Sequence, residues 1–373
     1  MAAPDFEALA QPGIRRLRGY DPGHDIVALR RRFGEQMLLE LGSNENAHGP
    51  SPQTRPALLV SLETLHRYPD PLGSGLKQAI AASLALQPAQ ILLGNGSHEL
   101  LMMLAQVFAG PDAAVLASEF GFAVYAIAAQ AAGARFRRAP ALPVSAGMPR
   151  GHDLAALAAG VDAQTRLVYL ANPNNPTGTW FATAELEAFL CRLPAEVLVV
   201  VDEAYLEYVN DPALVSACSL LATFPNLVVT RTFSKAHGLA GLRVGYACAD
   251  AGLVAVMERV RESFNINSPG LAACAAALAD PGHVRAVRRD NAGERDWLAN
   301  QLRERGLMVA PSQTNFLLAD FGRDVACLEA ALVGRGVVLR PMAGYGLPEC
   351  LRITVGLRVE NVRLLAALDE VMA

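Results

Sequence analysis

Four polar clusters, each directly after an aliphatic run, hold the side chains in this sequence that could do chemistry together. Ile91-Leu92-Leu93 runs into Gly94-Asn95-Gly96-Ser97-His98-Glu99, and Leu167 to Leu170 into Asn172-Pro173-Asn174-Asn175-Pro176-Thr177-Gly178. Val197 to Val201 runs into Asp202-Glu203-Ala204-Tyr205. Leu227 to Thr230 runs into Arg231-Thr232-Phe233-Ser234-Lys235, with Gly241-Leu242-Arg243-Val244-Gly245 close behind. The glycine turn can aim backbone N–H groups and a helix N-terminus at a phosphate. It is neither a dinucleotide fingerprint, since Glu99 holds the third glycine position, nor a P-loop, since no Gly-Lys-Ser/Thr follows. Ser97 by itself reads as a helix N-cap. A carboxylate at Asp202, ending a buried strand, needs a partner; a protonated ring nitrogen would serve, and so would a structural ion pair. Tyr205 could reach the same ligand, although a lone tyrosine there equally suits the core. Lys235 alone reads as a surface lysine, but a desolvated lysine near cationic groups becomes a nucleophile toward carbonyls. Ser234 and Arg243 supply the hydroxyl and the charge that a phosphate wants.

These clusters matter because of the elements that must position them. Aliphatic runs of four or five residues without alternation, here also Ala113 to Ala117, fit strands buried on both faces. Their alternation with helical patterns from about 50 to 255 implies an α/β unit with a mostly parallel sheet flanked by helices and right-handed crossovers. Ligands of such sheets bind beyond the carboxyl ends of the strands, where these clusters fall. After about 256 the texture changes to a long helical region, Pro281 to Arg305, short strands at Asn315 to Leu318, Val337 to Leu339 and Leu351 to Val355, and a final helix from Asn361 to Met372. The expected organisation is an arm at 1–45 that contributes to the small domain and to a dimer, a large domain at 46–255 and a smaller α/β domain at 256–373. The arm carries Arg15, Arg16, Arg18, Arg30, Arg31 and Arg32.

The 373 residues suffice for about two domains and a sizeable core. With 52% hydrophobic and 18% charged residues the chain is globular rather than disordered. A net charge of -4, with no basic run interleaved with aromatics, gives no reason to expect nucleic-acid binding. Met1 to Tyr20 has no apolar signal-peptide core, and the purest apolar stretch, Leu271 to Ala279, is far short of the about twenty residues of a membrane helix. Cysteines at 191, 218, 248, 274, 327 and 350 show neither CxxC nor zinc spacing. They are expected to be buried small hydrophobes in a reducing compartment, hence a cytoplasmic protein. No metal site is expected.

The Asn-Pro-Asn-Asn-Pro-Thr-Gly run, the Asp202-Glu203-Ala204-Tyr205 strand end and the Ser234-Lys235…Gly241-Leu242-Arg243-Val244-Gly245 segment together resemble the fold-type-I, aspartate-aminotransferase-like enzymes that use pyridoxal 5'-phosphate. The resemblance runs from about residue 20 to the C-terminus. Within that superfamily the chain is most similar to histidinol-phosphate aminotransferases, through Gly19-Tyr20-Asp21-Pro22-Gly23, Gly42-Ser43-Asn44-Glu45-Asn46, Arg67-Tyr68-Pro69-Asp70, Pro311-Ser312-Gln313-Thr314-Asn315-Phe316 and Leu351-Arg352-Ile353-Thr354-Val355-Gly356. It implies that Lys235 joins covalently to the cofactor and then moves the proton at the substrate Cα. It implies that Asp202 pairs with the pyridine nitrogen, making the ring an electron sink, that Asn175 and Tyr205 bond the ring oxygen and that Phe122 stacks on the ring. Gly96, Ser97, His98, Ser234 and Arg243 would bind the cofactor phosphate. Tyr68 would reach the neighbouring subunit's cofactor, making a homodimer the working unit. Arg352 would anchor an acidic group of the substrate, and Tyr20 and Arg340 would help hold a substrate phosphate.

Three departures from the family pattern stand out: His98 replaces a frequent acidic residue, His237 a frequent aromatic one, and Ala47-His48 a common Pro-Leu pair near the expected substrate entrance. The implied reaction is transamination between histidinol phosphate and 2-oxoglutarate, giving glutamate, in histidine biosynthesis. An aminotransferase for aromatic amino acids fits the same motifs, and a phosphoamino-acid decarboxylase shares the lysine segment.

Overall fold

The computed structural model of the protein describes residues 4–15, 17–21, 23–34 and 37–373. Arg16 of the arginine-rich arm and Pro22 of the Gly19–Gly23 segment lie outside the described residues. The central sheet has seven strands in the order Ile91–Gly94, Gly245–Cys248, Leu227–Thr232, Leu198–Asp202, Thr165–Ala171, Ala114–Ser118 and Arg135–Ala139. Gly245–Cys248 runs antiparallel to both of its neighbours, and the other pairings are parallel. Ile91–Gly94, antiparallel to an antiparallel strand, therefore points the same way as the rest. The four strands that precede the polar clusters all release their chain at one edge.

Alternate residues of each strand face opposite sides, and both sides are covered. Val168, Leu170, Val199, Val201, Leu227 and Val229 pack with Leu76, Ile80, Leu186, Phe189 and Ala273 in one core. Leu167, Tyr169, Val200 and Val228 pack with Leu100, Leu104, Val124 and Ala128 in the other. The alternation decides which residue enters the site. Asp202 continues the face of Val200 and sits opposite Thr230 in register, whereas Glu203 falls on the reverse face beside Arg231.

The second part of the chain builds an antiparallel sheet ordered Arg340–Pro341, Cys350–Thr354, Phe316–Asp320 and Met308–Val309. Leu39 and Leu41, at the end of the arm, join its core, and Leu39–Glu40 pairs in parallel with Val337–Val338. Earlier in the arm, Gly13 lies so close to Gln130 that a Cβ would meet the Gln130 carbonyl oxygen at 2.1 Å. Val254, Met257, Ile266, Ala273, Cys274 and Ala277 all pack in the cores of the large sheet. After Leu41, the next buried residue of the second core is Leu298, within the helix Pro281–Glu304.

The cysteine expectation holds for Cys248, Cys274 and Cys350, which are buried, but not for Cys191 and Cys327, which are exposed; Cys218 is half-buried. Cys191 ends a helix at the surface and Cys327 lies on an outer helix face, so neither has a core to enter. All six are free thiols. Among the described residues no helix is long and apolar enough to cross a membrane.

Candidate active site

A cavity of about 310 Å³ opens at the carboxyl edge of the large sheet and is closed from above by the second sheet and the arm. It gathers Ser97, His98, Phe122, Asn175, Asp202, Tyr205, Ser234, Lys235 and Arg243 from the large part, Arg340 and Arg352 from the second sheet, and Tyr20 from the arm. Tyr68 lies elsewhere: it is 82% exposed and stacks at 4.6 Å on Phe264.

One end is shaped for an anion. The helix Ser97–Phe108 begins here, and the N–H groups of its first turn have no intrahelical acceptor. The cap position belongs to Gly96, which has no side chain to offer, and Ser97 is the first helical residue rather than the N-cap. Gly96 takes φ +80°, and a Cβ there would meet an Arg243 guanidinium nitrogen at 2.5 Å. Only glycine lets that guanidinium lie against the turn. Arg243 Nη1 also donates to Ser234 Oγ at 3.2 Å. His98 stands beside this charge; burial, then Arg243, lowers its pKa and favours the neutral ring.

Asp202 lies at the floor, 5% exposed. Its carboxylate accepts from Thr230 Oγ1 and from the Tyr125 hydroxyl, each at 3.2 Å. Both donors are neutral, and burial pushes the Asp202 pKa up to about 6. Tyr125 and Thr230 were missed in the sequence. Tyr125 is fully buried in an apolar helix and reads there as core, and only the strand register identifies Thr230.

Lys235 reaches across the cavity, where its ammonium donates to the carbonyls of Ser43 and Asn44 at 3.1 and 3.2 Å. Burial, then the charges of Arg352 and Arg243, depress its pKa to about 7, against the smaller pull of Glu45 and Asp202. The chain contains just one other lysine, Lys77, which is ion-paired with Glu258 at 2.6 Å. The Tyr205 ring centroid lies 5.7 Å from the Lys235 nitrogen, and the Tyr205 hydroxyl accepts from Asn44 Nδ2 at 2.8 Å. Asn44, in the left-handed region at φ 56°, and Asn315, which donates to the carbonyls of Asn44 and Glu45, fix this wall. Neither was singled out in the sequence beyond its segment, because both act through contacts spanning most of the chain.

Elsewhere in the cavity lining, Arg352 donates to Asn175 Oδ1 at 2.6 Å and to the Gly42 carbonyl at 2.8 Å. It is 8% exposed, and its Nε has no partner. Arg340 donates to the carbonyl of Asp21, holding the segment that carries Tyr20. Tyr20 makes edge contacts with His98 and Phe122, both at 6.4 Å between centroids. Of the other departures, His237 is packed against Phe233 at 4.9 Å, and His48 is exposed and outside the cavity.

The arrangement is a cleft with one carboxylate, three arginines and a lysine of depressed pKa, suited to a ligand that carries more than one anionic group. Residues 36–368 match the family described as "Aminotransferase class I and II". The chain belongs to that family, and its architecture is fold type I: it superimposes on a Thermus thermophilus aspartate aminotransferase with a TM-score of 0.83 over 97% of this chain and 99% of that one, at 22% identity. It is 46% identical over 371 residues to histidinol-phosphate aminotransferase 2 of Pseudomonas aeruginosa, covering 99% of both chains. It also resembles the crystal structure of a Sinorhizobium meliloti histidinol-phosphate aminotransferase in complex with pyridoxal 5'-phosphate, with a TM-score of 0.87, 33% identity and 97% of each chain covered.

Proposed function

We propose that this chain is a pyridoxal-phosphate-dependent histidinol-phosphate aminotransferase that passes the amino group to 2-oxoglutarate, a step of histidine biosynthesis. The observation that carries the reading is that one cavity holds both the anion cradle at Gly96 and Arg243 and two further arginines, Arg352 and Arg340. A cofactor phosphate and an acidic substrate both need a cationic partner in a cavity this enclosed.

The residues fit the cofactor. Asp202 is a buried carboxylate with neutral donors and no ion pair among the described residues, so a protonated ring nitrogen would supply the charge it lacks. Lys235 would hold the cofactor, Asn175 and Tyr205 its ring oxygen, Phe122 its face, and Gly96, Ser97, His98, Ser234 and Arg243 its phosphate. When bound, the cofactor supplies a reactive carbonyl carbon and a ring that accepts the electron pair of the substrate Cα–H bond. The protein moves the proton: Lys235, with a pKa near 7, takes it at Cα and returns it on the other side of the exchange. Asp202 keeps a positive charge on the ring nitrogen, and Arg352 orients the substrate acid.

Two results follow. Because Lys235 titrates near 7, the neutral amine grows from about one tenth at pH 6 to about nine tenths at pH 8. Attachment of pyridoxal phosphate to the apo-protein should therefore accelerate about tenfold over that span and level off. An ordinary lysine would keep accelerating to pH 10. Arg352→Ala should raise KM for the amino donor by about 10- to 100-fold, the value of a charge-assisted hydrogen bond in a desolvated site, with cofactor content unchanged. Steady-state kinetics and the visible spectrum measure both.

The same proposal includes a homodimer. Tyr68 is exposed, is held by stacking on Phe264 and is too far from its own cavity to line it, which suits a role in the partner's site. It includes a cytoplasmic location, in keeping with six free thiols. It divides the chain into the arm at 1–45, the cofactor-binding domain from 46 and a C-terminal domain, with the second seam near Asp280, because residues up to Ala277 pack with the large sheet. The substrate is tested by comparing histidinol phosphate with phenylalanine, both with 2-oxoglutarate. Turnover of the phosphate ester at ten or more times the kcat/KM of phenylalanine supports the proposal. Turnover of phenylalanine alone, or carbon dioxide release without a keto acid, overturns it.

A further inference from the structure

Tyr345 ends the short turn Ala343–Tyr345, between Arg340–Pro341 and Cys350–Thr354 of the second sheet. It packs with Phe120 against Leu318, Met342, Leu347 and Cys350, where the second sheet meets the large part of the molecule. Its hydroxyl oxygen accepts from the backbone N–H of Ala123 at 3.3 Å, a contact between residues 222 apart in sequence. Ala123 occupies the cap position of the helix Val124–Ala131 and has no side chain that could cap it. Tyr345 thus satisfies from outside a donor at the start of this helix, where backbone N–H groups lack intrahelical partners.

That helix start is where the cavity floor is set. Phe122 precedes Ala123 and lines the cavity. Tyr125 follows it, bonds back to the Phe122 carbonyl at 3.0 Å and sends its hydroxyl to Asp202. The loop has little slack: a Cβ on Gly121 would meet the Ser118 carbonyl oxygen at 3.1 Å and the Tyr125 ring at 3.2 Å. The Tyr345 backbone N–H bonds to the Met342 carbonyl at 2.8 Å, two residues beyond Arg340, which is paired in register with Arg352, and both arginines act on Tyr345 electrostatically, as does Tyr20. One side chain therefore touches the segment that addresses the cofactor and neighbours the residues that address the substrate.

We propose that Tyr345 is a positioning residue: its hydroxyl locks the arginine-bearing sheet to the Phe122–Tyr125 segment, so that the substrate's acidic anchor and the faces of the cofactor keep one fixed spacing. The proposal rests on the reading of the cavity as a pyridoxal-phosphate site with an anionic amino donor. It gives Tyr345 no contact with the reacting atoms.

The test compares Tyr345→Phe and Tyr345→Ala holoenzymes with the wild type, using whichever amino donor turns over fastest, so that the identity of the substrate does not enter. Tyr345→Phe keeps the ring and loses only the acceptor. It should load cofactor fully, hold KM within about twofold and lose roughly tenfold in kcat, the scale of one buried hydrogen bond expressed at the reacting geometry. The pH midpoint of the bound cofactor's visible band should also move, because Tyr125 no longer holds Asp202 as before; a role in stability alone would leave both readouts unchanged. Tyr345→Phe with wild-type kcat and spectrum overturns the proposal whether or not Tyr345→Ala is impaired or fails to fold. So does a rise in KM at constant kcat, which would make Tyr345 a substrate ligand. Wild-type protein that takes up no cofactor overturns the underlying reading, and this proposal with it.

Discussion

Lys235→Ala is expected to lower kcat by at least about 10³-fold, because in the proposed role one side chain would supply both the covalent attachment and the proton transfer. The geometry supports both. The ammonium is inside the cavity, held by the carbonyls of Ser43 and Asn44, and its pKa near 7 lets it exist as an amine at working pH. No other lysine can substitute, since Lys77 is tied to Glu258 away from the cavity. The variant should still bind cofactor through the anion cradle and Asp202, but reversibly, so that gel filtration or dialysis strips it. A small amine added in solution should restore part of the proton transfer. Stopped-flow spectra with amino donor in excess measure the loss, and a variant within tenfold of wild type would rule out this role.

Asp202→Asn is expected to cost about 10²- to 10⁴-fold in kcat with little change in fold. The substitution is nearly isosteric: Thr230 and Tyr125 donate to different carboxylate oxygens, so one hydroxyl can still donate to the amide oxygen while the other turns to accept from the amide N–H. What is lost is the negative charge, and under the proposed pairing the ring nitrogen would lose the protonated state that makes the ring accept electrons. In the free protein the charge is costly, since burial holds Asp202 near 6. The variant's apo form should accordingly be no less stable than wild type above pH 6, where wild-type Asp202 is a buried, ionised group whose hydrogen-bond donors are neutral. A melting temperature unchanged or raised in the apo-protein, together with collapsed turnover, separates this charge effect from a folding defect. Wild-type turnover in Asp202→Asn would show that the carboxylate is structural.

The parts of this site that sequence revealed are those where local chemistry and strand burial coincide. Parallel strands covered on both faces need unbroken aliphatic runs, so Ile91–Gly94, Thr165–Ala171, Leu198–Asp202 and Leu227–Thr232 were visible, and polar residues immediately beyond them had to face one edge. Two strands of the same sheet were not visible. Arg135–Ala139 is an edge strand with three arginines, and Gly245–Cys248 opens on a glycine and runs against its neighbours. The alanine-rich helix Ser268–Leu278 looks apolar on all faces, which says that it is buried but not against which sheet. The supports of the site were hidden for a different reason. Asn44, Tyr125, Thr230 and Asn315 act through register and tertiary contact, and no local pattern marks an asparagine that holds a loop 271 residues away. Arg352 and Asn175 were each named in the sequence as candidates, but their direct hydrogen bond appears only in three dimensions.

The most direct test is borohydride reduction of the holoenzyme followed by peptide mapping. Reduction makes the link between lysine and cofactor permanent, and a chain with two lysines offers an unambiguous assignment. The account predicts one cofactor per chain, carried by the peptide that contains Lys235, and none on that peptide when the enzyme is first incubated with an amino donor that converts the cofactor. A label on Lys77, or none on either lysine, would contradict it.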